Sequence, residues 1–217
     1  NALTPAQLQT IATTQVAGLS TTQVRALTAT NVAAFTETQI ATLTATQVAQ
    51  LSATNVSGLS DTQVAALNAT QVAAFTTAQV GALDATDFAR YSATQVAAFT
   101  ATQLAALSAT NFAALSETQI AALTTTQIQA ATATQIGALT ATQAAALTTA
   151  EVAALSSTQV RALSTTNLST LDATQFGALT AGQVAALTAT QISALNATDV
   201  GDVKTTQIGA LTATQVR

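Results

Sequence analysis

Residues able to do acid–base, nucleophilic or ligating chemistry are scarce in this chain. It has nine acids and five bases in 217 residues, with no histidine and no cysteine. Without histidine no Ser-His-Asp arrangement can form. Without cysteine there is neither a disulfide framework nor a thiolate metal site. No glycine-rich phosphate loop occurs, and the acids are dispersed, whereas paired carboxylates would need a shared cleft. Two stretches gather charge. In the first, Asp84, Asp87, Arg90 and Tyr91 stand close together. Asp87 and Arg90 are three apart, the spacing of a pair on a helix surface. That stretch reads either as a ligand or cation spot, or as a helix N-terminus that favours acids beside a solvated arginine; the second reading is the one adopted. The other stretch, Asn196 to Lys204, holds Asp199, Gly201 and Asp202. Two acids are too few oxygens for calcium, and no EF-hand spacing is present, so a weakened turn or hinge is expected there. The chemistry available thus predicts no catalytic, cofactor-binding or metal residues, and no enzyme. Four Asn-x-Ser/Thr glycosylation acceptors, at Asn55, Asn68, Asn167 and Asn196, carry little weight because the repeat produces them by chance.

The elements that hold these residues follow an eight-residue repeat running from Leu3 to Arg217. Phe99-Thr100-Ala101-Thr102-Gln103-Leu104-Ala105-Ala106 is one unit. Thr100 is an N-cap residue and Gln103 sits three positions later, which is the capping-box spacing. Phe99 before the cap and Leu104 after it form a hydrophobic staple. Ala105 and Ala106 extend the turn at low entropic cost. Cap positions fall at residue 4 and every eighth residue after it, 27 in all. They hold Thr, Ser, Asp or Asn at 25, the exceptions being Ala12 and Lys204. The N3 positions, Gln7 to Gln215, hold Gln, Asn, Asp or Glu at all 27, and the staple positions are apolar throughout. Ala131 and Ala144 are small members of that apolar set, where a local narrowing is expected. The only proline, Pro5, falls at N1, the helical site that suits it. Ala12 is a weak cap, so the second helix should fray more. No regular glycine supplies a left-handed C-cap, so the links must use ordinary backbone angles.

Rival periods fit less well. A continuous α-helix turns about 100° per residue, so eight residues overshoot two turns by about 80° and the apolar positions would spiral over every face. A heptad coiled coil fails likewise. A β-solenoid, three units to a triangular coil, is the serious alternative, since Thr and Val suit strands. The abundance of Ala and Gln and the lack of Gly or Asn at fixed corners oppose it. The expected fold is therefore all-α: a solenoid or superhelix of about 27 eight-residue units, each a short helix with a Thr/Ser-x-x-Gln capping box, in one repeat array over residues 1–217. A single unit buries too little to offset the entropy of ordering itself, so neighbours must supply the rest.

Charged residues make up only 6% of the chain, and the net charge is −4. The four Arg and one Lys are scattered singly, so no basic patch is available for nucleic acid. No apolar run approaches about 18 residues, so no membrane span is expected. No signal peptide is visible; either a leader has been removed or the chain is a piece of a longer repeat. Thr occupies N2 at 23 of the 27 units. Such a row could bind ice or a repetitive polymer, or it could simply pack and bond spare N-terminal groups; the latter is preferred.

Tandem units such as Leu139-Thr140-Ala141-Thr142-Gln143 resemble the Ala/Thr-rich octapeptide tracts of large bacterial surface and adhesin-like repeat proteins. The resemblance spans nearly the whole chain, is compositional, and transfers no site residues. It implies an extracellular or cell-surface stalk or fibre. The expected role is a structural filament, stalk or spacer that self-associates end to end or laterally. The alternative is a binding module for a polymer, ice or protein ligand, using the Thr row or a concave face.

Overall fold

The computed structural model describes residues 3–201 and 203–217. Among them run 27 short α-helices and no strand, from α1 (Pro5–Thr10) to α27 (Ala213–Val216). Each helix is four to six residues long and begins one residue after a predicted cap position. The β-solenoid alternative is thereby excluded. Helices this short are unstable alone, so their ends and their packing must hold them.

The N-termini are held as the sequence predicts. Thr100 precedes α13 (Ala101–Ala105) with extended backbone angles, and its hydroxyl accepts from the Gln103 N–H at 3.2 Å. The Gln103 side-chain oxygen accepts from the Thr100 N–H at 2.5 Å. The same reciprocal pair recurs along the chain. Ala12 offers no hydroxyl, yet the return bond from the Ala12 N–H to Gln15 forms at 2.8 Å and α2 (Thr13–Ala17) is present. Pro5 stands at N1 of α1. The links use only negative φ, with no residue in the left-handed region among those described. At Leu43, for instance, the chain leaves its helix at φ −59° and ψ 130°.

Two compact bodies result, Asn1–Leu107 and Ser108–Arg217. Within each, a helix packs against the one three places along: α2 on α5 (Glu37–Thr42) in the first, and α17 (Ala133–Gly137) on α20 (Ser157–Ala162) in the second. The chain in each body therefore coils. The two apolar positions point inward in most units, and Val72, Phe75, Val80 and Leu83 are all buried to 4% exposure or less. The small Ala131 and Ala144 are buried with them. In the first body Phe75, Phe88, Tyr91 and Phe99 form an aromatic cluster with ring centroids 5.6 to 6.2 Å apart. Alanines on the packing faces let helices approach closely. At one such contact, a Cβ on Gly137 would lie 2.8 Å from the Ala162 carbonyl oxygen, which explains the glycine at a usual alanine position.

Candidate functional site

The side chain that organises the molecule is the N3 glutamine. Its oxygen is spent on its own cap, and its nitrogen reaches another coil. Gln71 Nε2 donates to the carbonyls of Ile40 and Leu43, both at 2.8 Å and 31 and 28 residues earlier. Gln63 does the same to Val32 and Phe35 at 2.9 and 2.7 Å. In the second body Gln183 donates to Val152 and Leu155 at 2.9 and 2.7 Å, and Gln191 to Val160 and Leu163 at 3.1 and 2.8 Å. The acceptors are carbonyls at the C-terminal end of the helix four units back, groups that a helix leaves without an internal partner. One glutamine thus caps two helices, the start of its own and the end of another. These glutamines are buried, Gln71 to 1% and Gln183 to 3% exposure. Helix n packs on n − 3 while its glutamine reaches n − 4, so a coil closes between three and four units.

Asparagine at N3 shows why glutamine dominates. Asn55 Nδ2 reaches only Leu27, at 3.0 Å, and Asn167 Nδ2 only Leu139, at 2.8 Å. Neither helix then has the return bond of a capping box. Asn31 does the opposite: its Oδ1 takes the Thr28 N–H at 3.1 Å. The side chain is one methylene too short to do both.

The charged stretch predicted at 84–91 is a repair of this ladder. In α11 (Ala85–Ala89) the N3 residue is Asp87, whose Oδ2 takes the Asp84 N–H at 2.9 Å and has no hydrogen to send across. Arg90 supplies it. Its guanidinium donates to the Leu59 carbonyl, 28 residues before Asp87, to the Ser57 carbonyl at 3.1 Å, and to Asp87 Oδ1. The reading of Arg90 as a solvated surface residue is therefore corrected. Its side chain is only 21% exposed and that of Asp87 10%, because the carbonyls of the neighbouring coil draw the guanidinium inward. Tyr91 next to it is buried, and burial pushes its phenol pKa far up, with Asp87 adding to the rise and Arg90 opposing it. An open depression of about 360 Å³ beside this stretch is lined by Asn68, Ser92, Thr94 and Gln95, with Arg90 its one charged wall.

The second deviant stretch is also tied down. A helix, α25 (Ala197–Gly201), forms there, and the Asp199 carboxylate takes the Asn196 N–H at 2.9 Å. Lys204 makes no side-chain cap bond; its Nζ instead donates to the Gly177 carbonyl at 2.6 Å. Gln207, one turn on, keeps both cross-coil bonds, to Phe176 and Leu179. Asp202 lies outside the described residues. The glycosylation acceptors divide in two. Asn55 and Asn167 are buried in the ladder, while Asn68 and Asn196 are exposed caps. The N2 threonines face solvent, and several bond the neighbouring cap hydroxyl, as in Thr36–Thr38 and Ser116–Thr118, both at 2.9 Å.

Among the described residues no group of three or more acids is placed to hold a metal ion. Among the described residues no helix is long and apolar enough to cross a membrane. The architecture defines a helical repeat protein. A family model described as the ALTTAQ repeat matches residues 152–189, a stretch that contains the ladder glutamines Gln159, Gln175 and Gln183. No curated protein matches the chain.

Proposed function

We propose that this repeat protein serves as an extracellular filament, stalk or spacer at a bacterial surface, and that it is not an enzyme. The observation that carries the reading is the glutamine ladder. Within each body most coils are fastened to the one before by the same pair of glutamine bonds, so length can be added unit by unit without a new design. Such quasi-one-dimensional stacking suits a mechanical element. Few Lys and Arg also leave few sites for trypsin-like proteases, as suits an exposed position. Self-association, end to end or lateral, belongs to the proposal. Leu3, Val200, Ile208 and Val216 are large apolar residues left exposed and available for it. A head-to-tail contact that does not close would give a fibre.

Negative-stain electron microscopy of the purified protein tests the filament: long regular fibres support it, whereas monodisperse rods leave a spacer. Labelling of intact cells with an antibody to the repeat tests the location, and signal only after permeabilisation would contradict it. The solvent-facing Thr row favours a second reading, a module that binds ice or a repetitive polymer. Thermal hysteresis or polymer co-sedimentation, lost when Thr94, Thr102 and Thr110 become Val, would support that one instead.

A further inference from the structure

At Glu151 the ladder carries an acid, and no cation replaces the missing amide. Glu151 is the N3 residue of α19 (Thr149–Ala154) and is 1% exposed. Its Oε2 accepts from the Thr148 N–H at 2.5 Å, and its own N–H donates to Thr148 Oγ1 at 3.2 Å. The other oxygen, Oε1, is buried without a hydrogen-bond partner. That atom stands where every ladder glutamine has its nitrogen. In the next unit, Gln159 Nε2 donates to Ile128 and Ala131, both at 2.7 Å; one unit earlier, Gln143 Nε2 donates to Leu115 at 2.5 Å. The same register, 31 and 28 residues back, gives Glu151 the carbonyls of Ile120 and Leu123. An ionised carboxylate there would set lone pair against lone pair in a buried place, a costly arrangement.

The surroundings offer no counter-charge. The helix α16 (Thr125–Ala130), packed on one side, has no titratable residue. On the other, α22 (Ala173–Ala178) has only Asp172 at its cap, which is exposed. The helix that ends in Ile120, α15 (Glu117–Ile120), contributes an exposed Glu117, and the following helix, α20, an exposed Arg161. None of these forms an ion pair with Glu151.

We propose that Glu151 is a neutral carboxylic acid in the folded protein, its proton donated from Oε1 to the Leu123 carbonyl, so that this single rung is closed by a proton and opens as the pH rises. The rung is thus a pH-sensitive latch within a ladder built mostly of amides. Burial raises the carboxyl above its ordinary value of about 4.5, and the bonds to Thr148 oppose that rise by less. Because the folded state holds the proton more tightly than the unfolded chain, the rung contributes fully below the ordinary carboxylate range. Its contribution is lost as pH rises through the folded-state pKa.

Thermal unfolding of the protein and of E151Q, followed from about pH 4 to about pH 8, tests the latch. E151Q installs the residue found in most other units, so its folding is assured by the repeat itself. The two melting temperatures should nearly coincide at the acid end and separate by a few degrees at the other, E151Q being higher. A separation that is constant, or that shrinks with pH, overturns the proposal. Isotope-edited infrared spectroscopy with labelled glutamate gives a direct reading. A protonated-carboxyl band absent from E151Q should titrate with a midpoint above about 4.5; a midpoint at or below that value overturns the proposal whatever the melting curves show.

Discussion

Units 84–91 and 148–155 make the same substitution, an acid for the N3 glutamine, and deal with it differently. At Asp87 the side chain is shorter by a methylene, which leaves room for the Arg90 guanidinium to reach the orphaned Leu59 carbonyl while neutralising the carboxylate. At Glu151 the side chain has glutamine's length and fills the space itself, so no cation enters and its Oε1 is left buried without a bond. The Arg90 rung shows that the donor across the coil need not be an amide, and the proposal for Glu151 extends this to a proton. A guanidinium supplies the hydrogen with charge, and a protonated carboxyl can supply it without.

The largest effect should come from breaking the first solution. Arg90→Ala strands the Asp87 carboxylate at 10% side-chain exposure and leaves the Leu59 and Ser57 carbonyls without this donor. Urea unfolding should record a loss of about 3 kcal/mol or more. The double change Asp87→Gln with Arg90→Ala should recover most of it by restoring the ordinary rung. If the double variant is no better than the single one, Arg90 is not standing in for an amide.

Next in size is an ordinary rung. Gln71→Ala removes the donor to Ile40 and Leu43 and the return bond from the Asn68 N–H, and should cost about 2–3 kcal/mol by the same measurement. Gln71→Asn should fall between Ala and the parent, since Asn55 and Asn167 keep one cross-coil bond each. Gly137→Ala, which pushes a methyl against the Ala162 carbonyl, should cost about 1–2 kcal/mol. Thr100→Ala loses a single cap bond, about 1 kcal/mol. Thr102→Ala, on the solvent face, should stay within about 0.5 kcal/mol; a larger loss would mean that the Thr row braces the array.

Much of the fold was legible because capping is local chemistry. Thr100, Gln103, Phe99 and Leu104 declare a helix start within six residues, and the structure places every described helix at such a start. The second duty of glutamine was not legible in that way, since its acceptors lie 28 to 31 residues off and periodicity alone does not say how many units close a coil. One signal was present. A capping box is served as well by glutamate as by glutamine, yet the chain has twenty glutamines and one glutamate at N3. Such a bias asks for a donor as well as an acceptor. Arg90 was misread for the same reason: with its carbonyl partners unseen, a lone arginine three residues from an aspartate looks like a surface pair.

Hydrogen exchange of the glutamine side-chain amides, resolved by NMR, tests the ladder most directly, and the chain contains its own control. Gln7, Gln15 and Gln23 are exposed and form the return bond to their caps but donate to no carbonyl. Gln63, Gln71 and Gln79 form the return bond and also donate across the coil. The Nε2 protons of the second group should exchange far more slowly than those of the first. Equal, solvent-like rates in both would mean that the coils are not stitched by glutamine.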